Sequence, residues 1–207
     1  MAIYSTLFLA TSDDLLQMFP DWKAPLSTPR DLVVRNPFTG EEKRTTSTEP
    51  EWKEEENIVL SKHDVVGIEG DYLRFLEQRI PDSMRERPHI CSKGFTHIEY
   101  EPLSSLLGIE PLLEPAFYAP PSAGAIVLVF NDPFRQTLAE IDDDRTSDIA
   151  FKWAEAMSSP EYTCNRDGKQ IAEGWAPEFA SSVLEPLKAI STDGWRNELC
   201  LFLLIEF

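Results

Sequence analysis

Two short stretches of the chain, Gly124 to Phe130 (GAIVLVF) and Leu199 to Phe207 (LCLFLLIEF), are apolar almost without a break. A strand with one face in water alternates polar and apolar residues. A run without alternation therefore belongs in the interior with both faces covered. These two segments predict central strands, and they oblige the rest of the chain to supply cover on both sides. The second run has nine residues, less than half of the roughly 20 that a bilayer-spanning helix needs.

The remaining elements are placed by capping residues and periodicity. Ile3 to Leu9 is β-branched and aromatic enough for a strand, and Thr11 or Ser12 then caps a short helix from Asp13 to Phe19. Asp31 to Arg35 and Glu41 to Thr48 read as two arms of a surface β-hairpin, with Gly40 at a left-handed turn position. Gly70-Asp71 opens a helix through Ile80, Thr96 to Tyr100 (THIEY) alternates like a half-buried strand closed by Glu101-Pro102, and a short helix covers Leu103 to Leu107. Asn131-Asp132-Pro133 is a cap followed by proline at the first helical position and starts a helix to about Ile141. IDDDRTSD interrupts, and Ile149 to Met157 is helical again. Glu161 to Trp175 is a polar loop with a hairpin turn at Arg166-Asp-Gly168. Pro177 opens the last helix, with Phe179, Val183, Leu187 and Ile190 as its apolar stripe, Pro186 expected to kink or split it, and Gly194 leading to the final strand. The sum is an α/β or α+β fold, a single compact domain over residues 1–207 with a mixed β-sheet flanked by helices.

Charge narrows the partner classes. The formal net charge is −17, from 36 acidic against 19 basic residues, and it accumulates regionally: −4 over residues 41–60, −7 over 101–150 and −4 over 151–207. Such a surface repels phosphate backbones and anionic membranes, so no nucleic acid and no membrane is expected as a partner, while basic proteins and metal cations are attracted. Hydrophobic residues at 42% and aromatics at 11%, with five Trp and twelve Phe, give a packed globular chain rather than an acidic tail. Three cysteines without a close pair fit free thiols in a reducing cytoplasm. The N-terminus has no basic region, and its apolar run is cut by Thr11-Ser12-Asp13-Asp14, unlike a secretory leader.

Candidate chemistry concentrates in three places. His89-Ile-Cys-Ser-Lys-Gly-Phe-Thr-His97 holds two of the three histidines and one cysteine. As a metal site, His89, Cys91 and His97 lack the usual pair spacing and a nearby fourth ligand. As a phosphate loop the stretch has His97 where an arginine is needed. A structural segment with Ile90 and Cys91 packed inside and a turn at Gly94 is the preferred reading. Asp142-Asp143-Asp144 lacks the central glycine and distal glutamate of a calcium loop and reads as a solvated acidic loop. The acidic arm Glu49 to Glu56 sets Trp52 among exposed carboxylates, the aromatic-anchor-and-charged-rim composition of interface hot spots. Glu51, Trp52, Glu54, Glu55, Glu56, Asp142, Asp143 and Asp144 are accordingly the expected partner-binding residues.

No GxSxG, GxGxxG, Walker or HExxH motif occurs, and no cofactor and no catalytic residue is assigned. No specific residues identify a family. In general character, a compact, acidic, Trp- and Phe-rich chain without a catalytic motif resembles bacterial immunity or antitoxin proteins, which implies an inhibitor that neutralises a basic toxin by electrostatic and aromatic contacts. The alternative is a metal-dependent or thiol enzyme centred on Cys91 and His97.

Overall fold

The computed structural model describes residues 4–35, 42–51, 87–93, 95–109, 113–119, 125–165, 167–170 and 172–206. The helix expected from Gly70 to Ile80 and the turn from Asn36 to Gly40 lie outside these residues. Among the described residues the strands are β1 (Tyr4–Ala10), β2 (Arg30–Arg35), β3 (Glu42–Ser47), β4 (His89–Lys93), β5 (Leu113–Tyr118), β6 (Ala125–Phe130) and β7 (Cys200–Glu206). The helices are α1 (Ser12–Met18), α2 (Glu101–Leu107), α3 (Asp132–Glu140), α4 (Asp143–Met157), α5 (Pro160–Thr163) and α6 (Pro177–Arg196).

Five strands form one sheet in the order β4-β1-β7-β6-β5, and β2 and β3 pair separately as the expected hairpin. The architecture is α+β. The two unbroken apolar runs are the inner strands β6 and β7, hydrogen-bonded to each other, with Leu128 opposite Leu203. A mixed sheet was expected, but every pair in the five-stranded sheet is antiparallel. The reason lies in the connection. Arg135, just after β6, donates its Nη1 to the carbonyl of Leu199, just before β7. The chain thus leaves β6 and enters β7 at the same end of the sheet, which makes the two strands antiparallel.

Both sheet faces are buried. Leu7, Leu9, Leu128, Phe130, Leu201, Leu203 and Ile205 meet α2, α3, α4 and α6 on one face. Phe8, Ala10, Val127, Phe202 and Leu204 meet α1, Phe19 and Trp22 on the other. Full burial of each such side chain contributes about 1.5–3 kcal/mol, so the cover on both sides, rather than strand propensity, holds the apolar runs in place.

Helix starts follow the expected caps. Thr11 and Asp14 form a reciprocal capping box, with Asp14 N–H donating to Thr11 Oγ1 at 3.1 Å and Thr11 N–H donating to Asp14 Oδ2 at 2.8 Å. Asn131 Oδ1 accepts the Phe134 N–H at 2.9 Å. Asp142 caps α4 by accepting the Arg145 N–H at 2.8 Å, so the aspartate run is the start of one long helix and not an interruption. Asp143 and Asp144 occupy its first turn, where the helix dipole favours negative charge.

Other local expectations are corrected. THIEY is not a strand: Ile98–Tyr100 is a 3-10 turn leading directly into α2, with Pro102 in the first turn of that helix. Thr96 donates both its N–H (2.6 Å) and its hydroxyl (2.8 Å) to the Glu99 carboxylate, a helix-start arrangement. Pro186 neither splits nor ends α6, which runs unbroken from Pro177 to Arg196. Its ring deprives the Ser182 carbonyl of a donor, but both residues are exposed, where that oxygen is open to solvent rather than buried. Gly194 sits inside α6, buried against β1. A Cβ there would lie 2.7 Å from Leu9 Cδ2, so the glycine lets the helix approach the sheet.

Candidate interaction surface

The helices α4 and α6 lie side by side and run in opposite directions. At one end Lys188 Nζ donates to Asp143 Oδ1 at 2.9 Å and to Thr146 Oγ1 at 3.2 Å. At the other, the Trp153 ring meets Trp175, which precedes α6, at 5.1 Å between centroids, and Trp175 meets Phe179 edge-on at 5.0 Å. Their inner stripes seal the core: Ile149, Ala150, Trp153 and Met157 from α4, and Ala180, Leu184, Leu187 and Ile190 from α6.

The outward sides are acidic. With the cap Asp142, the two helices carry eight acidic residues against four basic ones. Seven of the eight are exposed, and Asp193 is partly so. Three large aromatics stand exposed on the same helices, Phe151 at 50%, Phe179 at 45% and, near the C-terminal end of α6, Trp195 at 42%. Phe179 was expected in the buried stripe. Leu187 and Ile190 are buried as expected and Val183 packs partly buried on the core, but the first turn of the stripe is Ala180 and Leu184, which leaves Phe179 outward against Trp175.

At the Asp143 end the two helices enclose a cleft of about 630 Å3 whose walls include Asp143, Ser147, Glu185, Lys188, Asp193 and Arg196. Near the other end Tyr162 is half-buried, and burial together with the charges of Glu161 and Glu101 raises its hydroxyl pKa. Carboxylates thus line both ends of the helical face.

Only part of the expected recognition set falls on this surface. Asp142, Asp143 and Asp144 do, although Asp142 also serves as a cap and Asp143 is paired with Lys188. Glu51 lies elsewhere, beyond β3, its carboxylate 3.0 Å from Arg30 and its carbonyl accepting Lys23 Nζ at 3.0 Å. Trp52, Glu54, Glu55 and Glu56 lie outside the described residues. Phe151, Glu185 and Asp193 also lie on this surface and were not among the expected residues. The available signal was their spacing on the polar sides of two helices whose apolar stripes are clear.

The reactive-looking stretch dissolves into ordinary parts. Its first half is the edge strand β4, paired with β1. Ile90 packs on the core, so its neighbour Cys91 faces the other way and is exposed, not buried as expected, because adjacent strand residues point to opposite faces. Its sulfur accepts a hydrogen bond from the buried Thr6 hydroxyl at 3.6 Å. His97 is exposed at the start of the 3-10 turn. Among the described residues no group of three or more His, Cys, Asp or Glu is placed to hold a metal ion. No described helix is long and apolar enough to cross a membrane.

One carboxylate is set apart by its surroundings. Asp14 loses hydration through burial, which raises its pKa. The Thr11 amide, the Arg87 guanidinium 2.8 Å away and the Thr11 hydroxyl outweigh that and hold it below its ordinary 3.8. This pair ties α1 to the approach to β4. No family model, no curated protein and no solved structure matches the chain, so its function rests on the geometry alone.

Proposed function

We propose that the chain is a single-domain, cytoplasmic, acidic protein that binds and blocks a basic protein through the outward face of α4 and α6. The observation that carries this reading is the pairing on one helical layer of eight acidic residues with the exposed rings of Phe151 and Phe179. Carboxylates accelerate encounter with a basic surface and reject acidic or nucleic-acid partners, while the aromatic rings supply the apolar contact that slows dissociation. A toxin of high positive charge is the partner class that the composition suits. The three free cysteines, Cys91, Cys164 and Cys200, fit a reducing compartment.

The test is affinity capture at low salt followed by elution with rising salt, run in parallel with the variant Asp144→Lys/Asp148→Lys/Phe179→Ser. These three side chains are exposed, so no buried side chain is removed, and an unchanged circular-dichroism spectrum shows that the variant is folded before capture is compared. The expected result is a basic protein retained by the parent chain, released by salt and lost from the variant. Identical capture by both chains, or no basic protein on either, overturns the reading.

A further inference from the structure

At the end of α4 and α6 away from the cleft, three rings that reach solvent share one corner. The Ser158 hydroxyl, just past α4, donates to the Trp175 carbonyl at 3.2 Å, and the Ala172 N–H donates to the Thr163 carbonyl of α5 at 3.2 Å. A Cβ on Gly174 would lie 2.5 Å from Ser158 Oγ, so the backbone before Trp175 is closely seated on the end of α4. Tyr162 and Trp175 are partly buried on the same core, and Phe179, edge-on to Trp175, is exposed. An edge-on contact covers at most one face of the Phe179 ring. The rim of this corner has one sign. Glu155 in the last turn of α4, Glu161 in α5, Glu173 two residues before Trp175 and Glu178 beside Phe179 are all exposed, and none has an ion pair among the described residues. Between residues 150 and 180 the described basic residues are Lys152, held by Asp148 at 2.7 Å, and Lys169, in the turn beyond the Cys164–Gln170 bridge. The Tyr162 hydroxyl registers that sign, since Glu161 and Glu101 add to burial in raising its pKa.

We infer that this corner receives an arginine side chain of the basic partner, its guanidinium stacked on the Phe179 ring beside Trp175 and countered by the rim carboxylates; the inference rests on the proposed function and names where the partner is gripped. Carboxylates alone hold any cation. Ring faces select one that sheds water and lies flat. A guanidinium is planar and weakly hydrated, so it stacks on a ring while its edge N–H groups still reach carboxylates, whereas an ammonium keeps its water and offers no plane. Charge complementarity is also freer here than along the rest of the face, where Asp143 and Asp148 already have lysine partners.

The experiment titrates the full chain with a blocked triarginine peptide, with trilysine and the uncharged isostere tricitrulline as controls, following backbone amide and indole signals by NMR. The expected shifts centre on Gly174, Trp175 and Phe179, with triarginine binding tighter than trilysine and tricitrulline not binding. Phe179→Leu keeps an apolar side chain and removes the ring; it weakens triarginine binding by about two- to fivefold and removes its advantage over trilysine. Phe151→Leu, the same change at another exposed ring of the surface, leaves triarginine binding as it was. Trilysine or tricitrulline binding as tightly as triarginine, no effect of Phe179→Leu, an equal effect of Phe151→Leu, or shifts spread evenly over all acidic residues overturns the corner assignment. If that happens while the parent chain captures a basic protein that Asp144→Lys/Asp148→Lys/Phe179→Ser loses, the wider surface stands and only the corner falls. If no basic protein is captured, the wider reading falls, and the peptide result judges the corner by itself.

Discussion

The face of the central sheet covered by α2, α3, α4 and α6 and the face covered by α1 with Phe19 and Trp22 both bury apolar strand residues, but they do so with cover of different depth. On the first, a chain of ring contacts runs from Phe134 through Phe130, Tyr100 and Trp153 to Trp175 and ends at the exposed Phe179. On the second, the cover supplied by the described residues is one short helix and a pair of rings, Phe19 and Trp22, 4.3 Å apart. The deeper cover holds α4 and α6 by buried stripes that pack on the sheet, with their charges and the Phe151 and Phe179 rings turned outward. The proposed recognition surface would gain from such support, because side chains already held in place lose little freedom on binding.

The largest expected effect lies in the deep face. Trp153 is fully buried, and its Nε1 donates to the Glu99 carbonyl at 2.9 Å. Trp153→Ala should cost about 3–5 kcal/mol by chemical denaturation, since it removes the ring and orphans that carbonyl. A direct comparison of the faces comes from adjacent residues of β7. Leu203 sits between Leu7 and Leu128 on the deep face, and Leu204 between Thr6 and Val127 on the other. Each truncation to alanine should cost about 2–5 kcal/mol, with Leu203 the more costly because its tightly held surroundings collapse less into the cavity. Equal costs would remove the distinction between the faces. Gly194→Ala, pressing α6 away from Leu9, should cost about 1–3 kcal/mol, and Leu9→Ala in the same chain should recover part of it.

The smallest expected effect belongs to the thin side and depends on pH. Because the folded-state pKa of Asp14 is lowered, its charged form contributes stability above its ordinary value of 3.8, and that contribution is lost as pH falls through the lowered folded-state value. Asp14→Asn should cost about 1–2 kcal/mol at neutral pH, through the capping box and the Arg87 contact, and progressively less in acid. A cost that does not change with pH would mean that the charge on Asp14 contributes nothing to stability.

Much of the fold was legible because its strongest signals are local. The unbroken runs of β6 and β7 need cover on both faces whatever the topology, and Thr11, Asn131 and Pro177 mark helix starts by side-chain chemistry or ring geometry. THIEY failed because alternation over five residues was weighed above Thr96-x-x-Glu99, a capping pattern that competes for the same stretch. Antiparallel pairing of β6 with β7 was not legible, since it depends on where the four helices between them deliver the chain. The acidic face was visible only as a regional charge excess. Its focus on α4 and α6 required the rotation of each helix, and a one-residue error in the first turn of the α6 stripe was enough to hide Phe179.

The most direct test is hydroxyl-radical footprinting of the chain, alone and with the basic protein it captures. Oxidation reports the exposure of individual side chains, and four exposed residues on different elements, Phe151, Phe179, Val33 and Cys91, serve as sensors. The account predicts that Phe151 and Phe179 become protected in the complex while Val33 on β2 and Cys91 on β4 keep their reactivity. Protection of Val33 or Cys91, with Phe151 and Phe179 still reactive, would place the partner elsewhere and contradict it.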